Sequence, residues 1–243
     1  MKLIILIFCV SPFVVQSAPL KLCQESASED PDLPLHVMEG RSYYGDHTAI
    51  VAQALIQLKA EFTIERLPWK RCVSLVEKGV YDGAIGMGWN MERSQRFAFP
   101  AGENNSDTAP FRISNINYSI YTNVHSQLTW DGIHFQHVSL GITAPKGYLV
   151  EEQLKAMKLL LETDVGGESW ITLLKRKRVD GVVLTEAIGD QMMETQGNGE
   201  IKKLVPPFYH QPVFLVFSLQ QRKLNADEMN SIWSKVAEIR DVF

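Results

Sequence analysis

One stretch constrains this chain more than any other: Phe62 to Pro100, reading FTIERLPWKRCVSLVEKGVYDGAIGMGWNMERSQRFAFP. Phe62 and Ile64 alternate with polar residues, as in a half-buried strand, and Leu67-Pro68-Trp69 breaks the run. Trp69, Cys72, Val73 and Val76 then recur at i, i+3, i+4 and i+7, which predicts a helix. Gly79 stops it, and Asp82 to Met87 (DGAIGM) reads as a short buried strand. Strand, helix and strand so close together make a βαβ unit with a right-handed crossover. Ligands bind outside the carboxyl ends of such strands. Trp69 follows one of those ends, and Trp89, Glu92 and Arg93 follow the other. An aromatic plate and a guanidinium fork facing one crevice suit a small carboxylate-bearing molecule.

The tail Glu92-Arg93-Ser94-Gln95-Arg96-Phe97-Ala98-Phe99-Pro100 resembles that of the family 3 periplasmic solute-binding proteins, the polar amino-acid type. In that family a helix ends in Gly, an aliphatic-Asp-Ala/Gly strand follows, and an Arg-x-x-x-Phe motif comes after a turn. Leu67-Pro68-Trp69-Lys70-Arg71-Cys72 is similar to a subgroup whose first strand also carries Cys-x-Glu, here Cys23-Gln24-Glu25. The resemblance extends more weakly over most of the chain. It implies an α/β fold of two lobes, the periplasmic binding protein type II, each lobe a mixed, mostly parallel sheet flanked by helices.

Residues 1–17 read as a secretion signal: Lys2, an apolar run from Leu3 to Val15, then the small pair Ser17-Ala18. The run is too short to span a bilayer comfortably. An exported, unanchored periplasmic protein, monomeric, is the expectation. A net charge of −4 and the absence of a basic stripe argue against nucleic acid as a partner. The cluster Lys175-Arg176-Lys177-Arg178 ends a predicted helix, where cations complement the dipole. Two cysteines survive signal removal, Cys23 and Cys72. In an oxidising compartment such an even pair forms a disulfide, the alternative being two free buried thiols.

The first lobe is expected over 18–118 with 211–243, and the second over 119–210. Leu20 to Cys23 is the opening strand, and a helix from Thr48 or Asp46 buries Ile50, Val51, Ala54, Leu55 and Leu58. In the second half, Val138 to Ile142 reads as a strand, and a helix carries Leu154, Met157, Leu160 and Leu161. Val179-Asp180-Gly181-Val182 echoes Tyr81-Asp82-Gly83-Ala84, so a helix feeds a strand through x-Asp-Gly in each half. The chain crosses between halves near Asn117–Tyr121 and returns near Pro206–Gln211. Asn225-Ala226-Asp227-Glu228 is a capping box opening the last helix, and the chain ends at Phe243, before the further helix usual in the family.

Residue by residue, the resemblance implies that Arg93 grips a ligand carboxylate and that Trp69 stacks on the ligand. The same residues also fit plain structural roles: Arg93 paired with Glu92 or a loop carbonyl, Trp69 in the helix core. Trp89 would add a second aromatic wall, Gly88 and Gly86 backbone N–H donors, and Arg71 a second cation. Gly147-Tyr148 resembles a loop that reaches over the ligand from the second lobe, and Glu25 stands at the cleft edge. Counting from Asp180, the family's ammonium-pairing acid falls on Thr185, with Glu186 beside it, so an α-amino group is less secure than a carboxylate. No cofactor is implied. His134 and His137 lack a third ligand for a metal, and no phosphate loop or nucleophile elbow occurs.

The leading reading is a binding protein that closes on an anionic or zwitterionic solute and delivers it to an inner-membrane transporter permease or a sensor. A second is an enzyme of the same fold, dehydrating a cyclic acid with Glu186 or Glu25 as proton donor. A third is a degenerate member that binds a partner protein only. Fold analogy does not separate them.

Overall fold

The computed structural model describes residues 18–26, 35–102, 105–163, 168–221 and 223–243. The expected signal segment lies outside these residues. In chain order the first half comprises β1 (Leu20–Glu25), a hairpin of β2 (Leu35–Met38) and β3 (Arg41–Tyr44), α1 (Asp46–Gln57), β4 (Phe62–Leu67), α2 (Trp69–Glu77), β5 (Gly83–Gly88), α3 (Met91–Arg96) and β6 (Phe97–Ala98). The long strand β7 (Ser114–Asn123) leads to β8 (Thr129–Trp130), β9 (Phe135–Gln136), β10 (Ile142–Thr143), α4 (Leu149–Ala156), α5 (Glu168–Lys175), β11 (Gly181–Thr185), α6 (Glu186–Gln196) and β12 (Ile201–Lys203). A second long strand, β13 (Tyr209–Ser218), returns to α7 (Ala226–Arg240).

The βαβ unit is present as read. β1 pairs in parallel with β4 over Leu20↔Phe62 to Glu25↔Leu67, and with β5 on its other side. In the second half β10 and β11 are parallel. The expectation of one sheet per lobe needs correction. Hydrogen bonding runs without a break as β10-β11-β7-β13-β5-β1-β4. The reason is length: β7 and β13 have ten residues each, so they pair with one another through their first five residues while their later residues reach opposite halves, β7 pairing with β11 and β12 and β13 with β5. Apolar side chains nonetheless cluster by half. Leu22, Val51, Phe217 and Trp233 belong to one cluster and Trp170, Leu174, Val182 and Met192 to another. A third cluster, with Trp69, Tyr118, Tyr148 and Phe214, spans both.

The repeated x-Asp-Gly element does the same job twice. Asp82 accepts from the Lys21 N–H at 2.7 Å, while its own N–H donates to the Lys21 carbonyl. Asp180 accepts from the N–H groups of Ser139, Leu140 and Gly141 at 2.6–2.8 Å, and its N–H donates to the Gly141 carbonyl. Burial acts to raise the Asp180 pKa, but these backbone donors outweigh it and hold the carboxyl below its ordinary value. They also explain why the predicted strand from Val138 shrinks to Ile142–Thr143: three N–H groups serve a carboxylate instead of a ladder. The helix expected to carry Leu160 and Leu161 ends at Ala156. Lys158 turns the chain with φ 60°, and Leu161 then donates to the Ile142 carbonyl as an edge strand.

Capping follows local chemistry. Asn225 and Glu228 form the expected capping box of α7. Asn90 accepts from the Arg93 N–H and opens α3. Cys23 and Cys72 are joined as a disulfide, tying β1 to α2 across 49 residues of sequence. Closing a loop of that length restricts the unfolded chain, so replacing both cysteines by Ala should lower the unfolding free energy by about 2–4 kcal/mol in a urea titration. A loss below about 0.5 kcal/mol would show the bridge to be dispensable.

Candidate ligand-binding site

A cavity of about 520 Å³ opens where the carboxyl ends of β1, β5 and β11 meet the crossing strands. The first residues of α1 (Asp46, His47, Thr48) and α6 (Glu186, Ala187, Ile188) line it, so two helix N-termini point their free N–H groups toward one space. Trp69, 7% exposed, forms one wall at the start of α2. Tyr148, which precedes α4 from the opposite half, meets Trp69 edge-on at 6.5 Å and Tyr118 edge-on at 6.2 Å. Its hydroxyl donates to the Glu25 carboxyl at the end of β1, a contact from one half to the other.

Glu25 is accessible in part from the cavity but crowded by protein. That desolvation lifts its pKa to about 7, against the pull of the Tyr148 hydroxyl. Burial in turn pushes both the Tyr148 and Tyr118 hydroxyls far above their ordinary range, with the Glu25 charge adding to it. Tyr118 also accepts from Gln211 Nε2 at 3.4 Å, leaving the buried Gln211 Oε1 without a partner among the described residues. His47 is half-buried, and crowding by protein lowers its pKa. Its Nε2 lies 2.5 Å from Ser114 Oγ.

Arg93 reaches the cavity from α3, and two of its five N–H donors are engaged by backbone carbonyls. Nη1 donates to the Gly88 carbonyl at 3.3 Å and Nη2 to the Gly147 carbonyl at 2.9 Å, with Glu152 at 3.7 Å. Burial lowers its pKa, though a guanidinium stays charged at any ordinary pH. The structural pairing imagined with Glu92 goes instead to Arg96, which holds Glu77 and Glu92. Glu186 is likewise engaged. It accepts from Asn117 Nδ2 at 2.9 Å, Ser119 Oγ at 2.8 Å and Lys203 Nζ at 3.4 Å. Burial alone would raise its pKa, but those partners bring it below the ordinary carboxylate value. Gly88 lines the cavity where a Cβ would strike the Gln211 side chain at 2.3 Å, so any larger residue would displace Gln211.

Of the residues expected from the sequence, Glu25, Trp69, Gly88, Arg93, Tyr148, Thr185 and Glu186 share this cavity. Trp89 and Arg71 do not line it. Trp89 comes just past the end of β5 and packs against the central apolar cluster. Arg71 lies two residues past Trp69, about 200° round the helix, and is solvent-exposed. Gln211, Tyr118 and His47 were not foreseen. Tyr118 stands on a foreseen alternating strand, but nothing in local spacing marks Gln211 or His47, which only the strand pairing brings in. Among the described residues no cluster of His, Cys, Asp and Glu could hold a metal, and no helix is long and apolar enough to cross a membrane.

No family model matches the sequence, and neither does any curated protein. Solved structures do. An amino-acid ABC transporter substrate-binding protein from Streptococcus pneumoniae, bound to L-arginine, is 16% identical with a TM-score of 0.66, covering 92% of this chain and 90% of that one. The GluR0 ligand-binding core from Nostoc punctiforme, in complex with L-glutamate, is 14% identical with a TM-score of 0.67, covering 92% and 94%. A histidine kinase sensor domain similar to periplasmic binding proteins is 12% identical with a TM-score of 0.67, covering 93% and 92%. The chain therefore has the mixed α/β fold of these two-lobed binding proteins.

The Glu25 environment makes a pH-dependent prediction. Its native pKa of about 7 exceeds the reference 4.5, so between these values the native state holds more protons than the unfolded chain. Stability then falls as pH rises from 4.5 to 7 and levels off above. Glu25→Gln removes that loss. Its stability relative to the parent should be unchanged at pH 4.5 and higher by about 1–3 kcal/mol at pH 8 in urea titrations. An offset that does not vary with pH would place Glu25 in water.

Proposed function

We propose that this protein is an exported solute-binding protein that captures a small amino-acid-like or related polar nitrogenous compound between two hinged lobes. The lobes are 18–118 with 211–243, and 119–210. The observation that carries this reading is the cavity itself: about 520 Å³, walled by Trp69, Tyr118 and Tyr148, set against two helix N-termini and floored by the strands that join the halves. That volume suits one amino acid or a molecule of similar size. The likeness to proteins solved with arginine and with glutamate supports the class of ligand but names neither for this chain. Arg93 and the Gly147-Tyr148 turn supply contacts across the cleft that hinge closure would make and break. Delivery to an inner-membrane permease, or reporting to a sensor, completes the role; the likeness to a transporter component and to a kinase sensor domain supports both routes.

A second reading rests on one observation, the Glu25 carboxyl whose pKa of about 7 suits a proton donor. Turnover of a cyclic amino- or hydroxy-acid that Glu25→Gln abolishes would establish it.

The binding reading predicts that at least one compound from a panel of amino acids and their amine and organic-acid relatives raises the melting temperature. At a hundredfold excess over Kd the rise should be roughly 5–10 °C. Trp69→Ala should weaken that compound's binding about tenfold or more in calorimetric titration, through loss of the aromatic wall. A silent panel at millimolar concentration would remove the solute-binding function.

A further inference from the structure

Every charged group that could meet a ligand in the cavity differs in how far it is already satisfied. Arg93 gives one N–H of Nη1 and one of Nη2 to the Gly88 and Gly147 carbonyls, and Asp46 Oδ1 lies 2.9 Å from His36 Nε2. Glu186 receives three donors, from Asn117, Ser119 and Lys203. His47 has its Nε2 2.5 Å from Ser114 Oγ, and desolvation lowers its pKa. Two acceptors in the cavity keep capacity to spare. Among the described residues the Glu25 carboxyl takes its hydrogen bond from Tyr148 alone, and Gln211, 2% exposed, leaves Oε1 without a donor. A buried acceptor without a donor costs free energy that an incoming N–H recovers. The rings of Trp69, Tyr118 and Tyr148 line the same space, and aromatic faces favour a cation.

On the reading that this cavity binds a small solute, we propose that the solute is an organic cation, an amine or guanidine whose N–H groups serve Glu25 and Gln211, and that a ligand carboxylate is not required. Two N–H donors on a planar guanidinium, or an ammonium with three, match a carboxylate and an amide oxygen. Binding also carries a proton signature. The titratable groups around Glu25 are Tyr148 from the second half and Tyr118 from β7, with Arg93 beyond Tyr118. Arg66 of β4 is turned aside over the Tyr44 ring. None of these supplies a cation in contact with Glu25, so the ligand does, and Glu25 must ionise to receive it. With a starting pKa of about 7, a cation should drive off about half a proton at pH 7, and its affinity should rise about tenfold from pH 6 to pH 8.

The test is titration calorimetry of the full chain from residue 18 with agmatine, putrescine, arginine, glutamate and succinate, in buffers of different ionisation enthalpy. Agmatine is expected to bind within about tenfold of arginine, with proton release, while glutamate and succinate bind at least about a hundredfold more weakly. Glu25→Gln should weaken agmatine and arginine about thirtyfold or more. The proton count on the unmodified protein stands even if that variant folds poorly. Glutamate or arginine binding while agmatine and putrescine are silent overturns the cation assignment and leaves solute binding intact. Cation binding without proton release at pH 7 removes Glu25 from the site. No binding by any of the five, at concentrations up to 10 mM of each probe, overturns the binding reading and the cation assignment together.

Discussion

The antiparallel pairing of β7 with β13, from Ser114↔Val213 to Tyr118↔Tyr209, is the contact on which the rest of this molecule depends. It joins two half-sheets whose other members are parallel within each half. It also sets the floor of the cavity, because Asn115 to Tyr118 and Gln211 lie within the paired segment. Backbone there is doubly committed to the ladder. Any rotation between the halves would therefore be absorbed as bending and twist of two strands, not as sliding of one packed surface over another. Polar side chains reinforce the junction. Asn117 bridges His210 and Glu186, and Tyr121 and Lys203 hold Asp190. This junction links the start of α6, which lines the cavity, to the two crossing strands.

What could be read from the sequence was what short-range spacing encodes. The strand–helix–strand from Phe62, the capping box at Asn225 and the twin Asp-Gly strand entries all rest on residues within one turn or one pleat of each other. The twin entries were legible as a pattern, and the structure supplies the cause: each Asp accepts backbone N–H groups of the neighbouring chain segment. Where the reading failed, a contact distant in sequence had won. Asp180 takes the N–H groups around Leu140 from 40 residues away and unmakes a strand that local apolar character favours. Ile142 recruits Leu159 to Leu161 and shortens a helix. The site divides the same way. Residues flanking the βαβ unit line the cavity, while Gln211 and His47 reach it only through tertiary contacts that no local window contains. Trp89 and Arg71 lie outside the cavity for a simpler reason: their neighbours Gly88 and Trp69 take the inward direction.

Two glutamates show how environment assigns role. Glu186 and Glu25 both line the cavity, one from each half. Glu186 is wrapped by an amide, a hydroxyl and an ammonium, so its charge is stabilised and its reach is gone. Glu25 has a tyrosine hydroxyl and crowding, so its charge is costly and its remaining capacity is free. Environments that push the pKa values of two like groups apart separate a structural acid from a working one. Here the structural acid is the one that chain position, counted from Asp180, had suggested for ligand contact. Position within a motif identifies which residue arrives at a cavity, and only its partners decide what it does there.

The same argument applies to Arg93, and it links specificity to closure. By holding Gly88 in β5 and Gly147 in the second half, its guanidinium ties the cleft shut along one side. Tyr148, the residue after Gly147, is delivered by that tie to Glu25. In the proposed hinge closure, the state of Glu25 would be coupled to closure through these two adjacent residues. Were the halves to part, Glu25 would lose the Tyr148 hydroxyl and gain water; on meeting, it would be desolvated and would either take a proton or find a cation. The proposed cationic ligand would resolve that conflict and stabilise the closed arrangement, whereas an anion at the same place would deepen it. The differential affinity for closed over open that hinge closure requires would then have a physical source in one carboxyl.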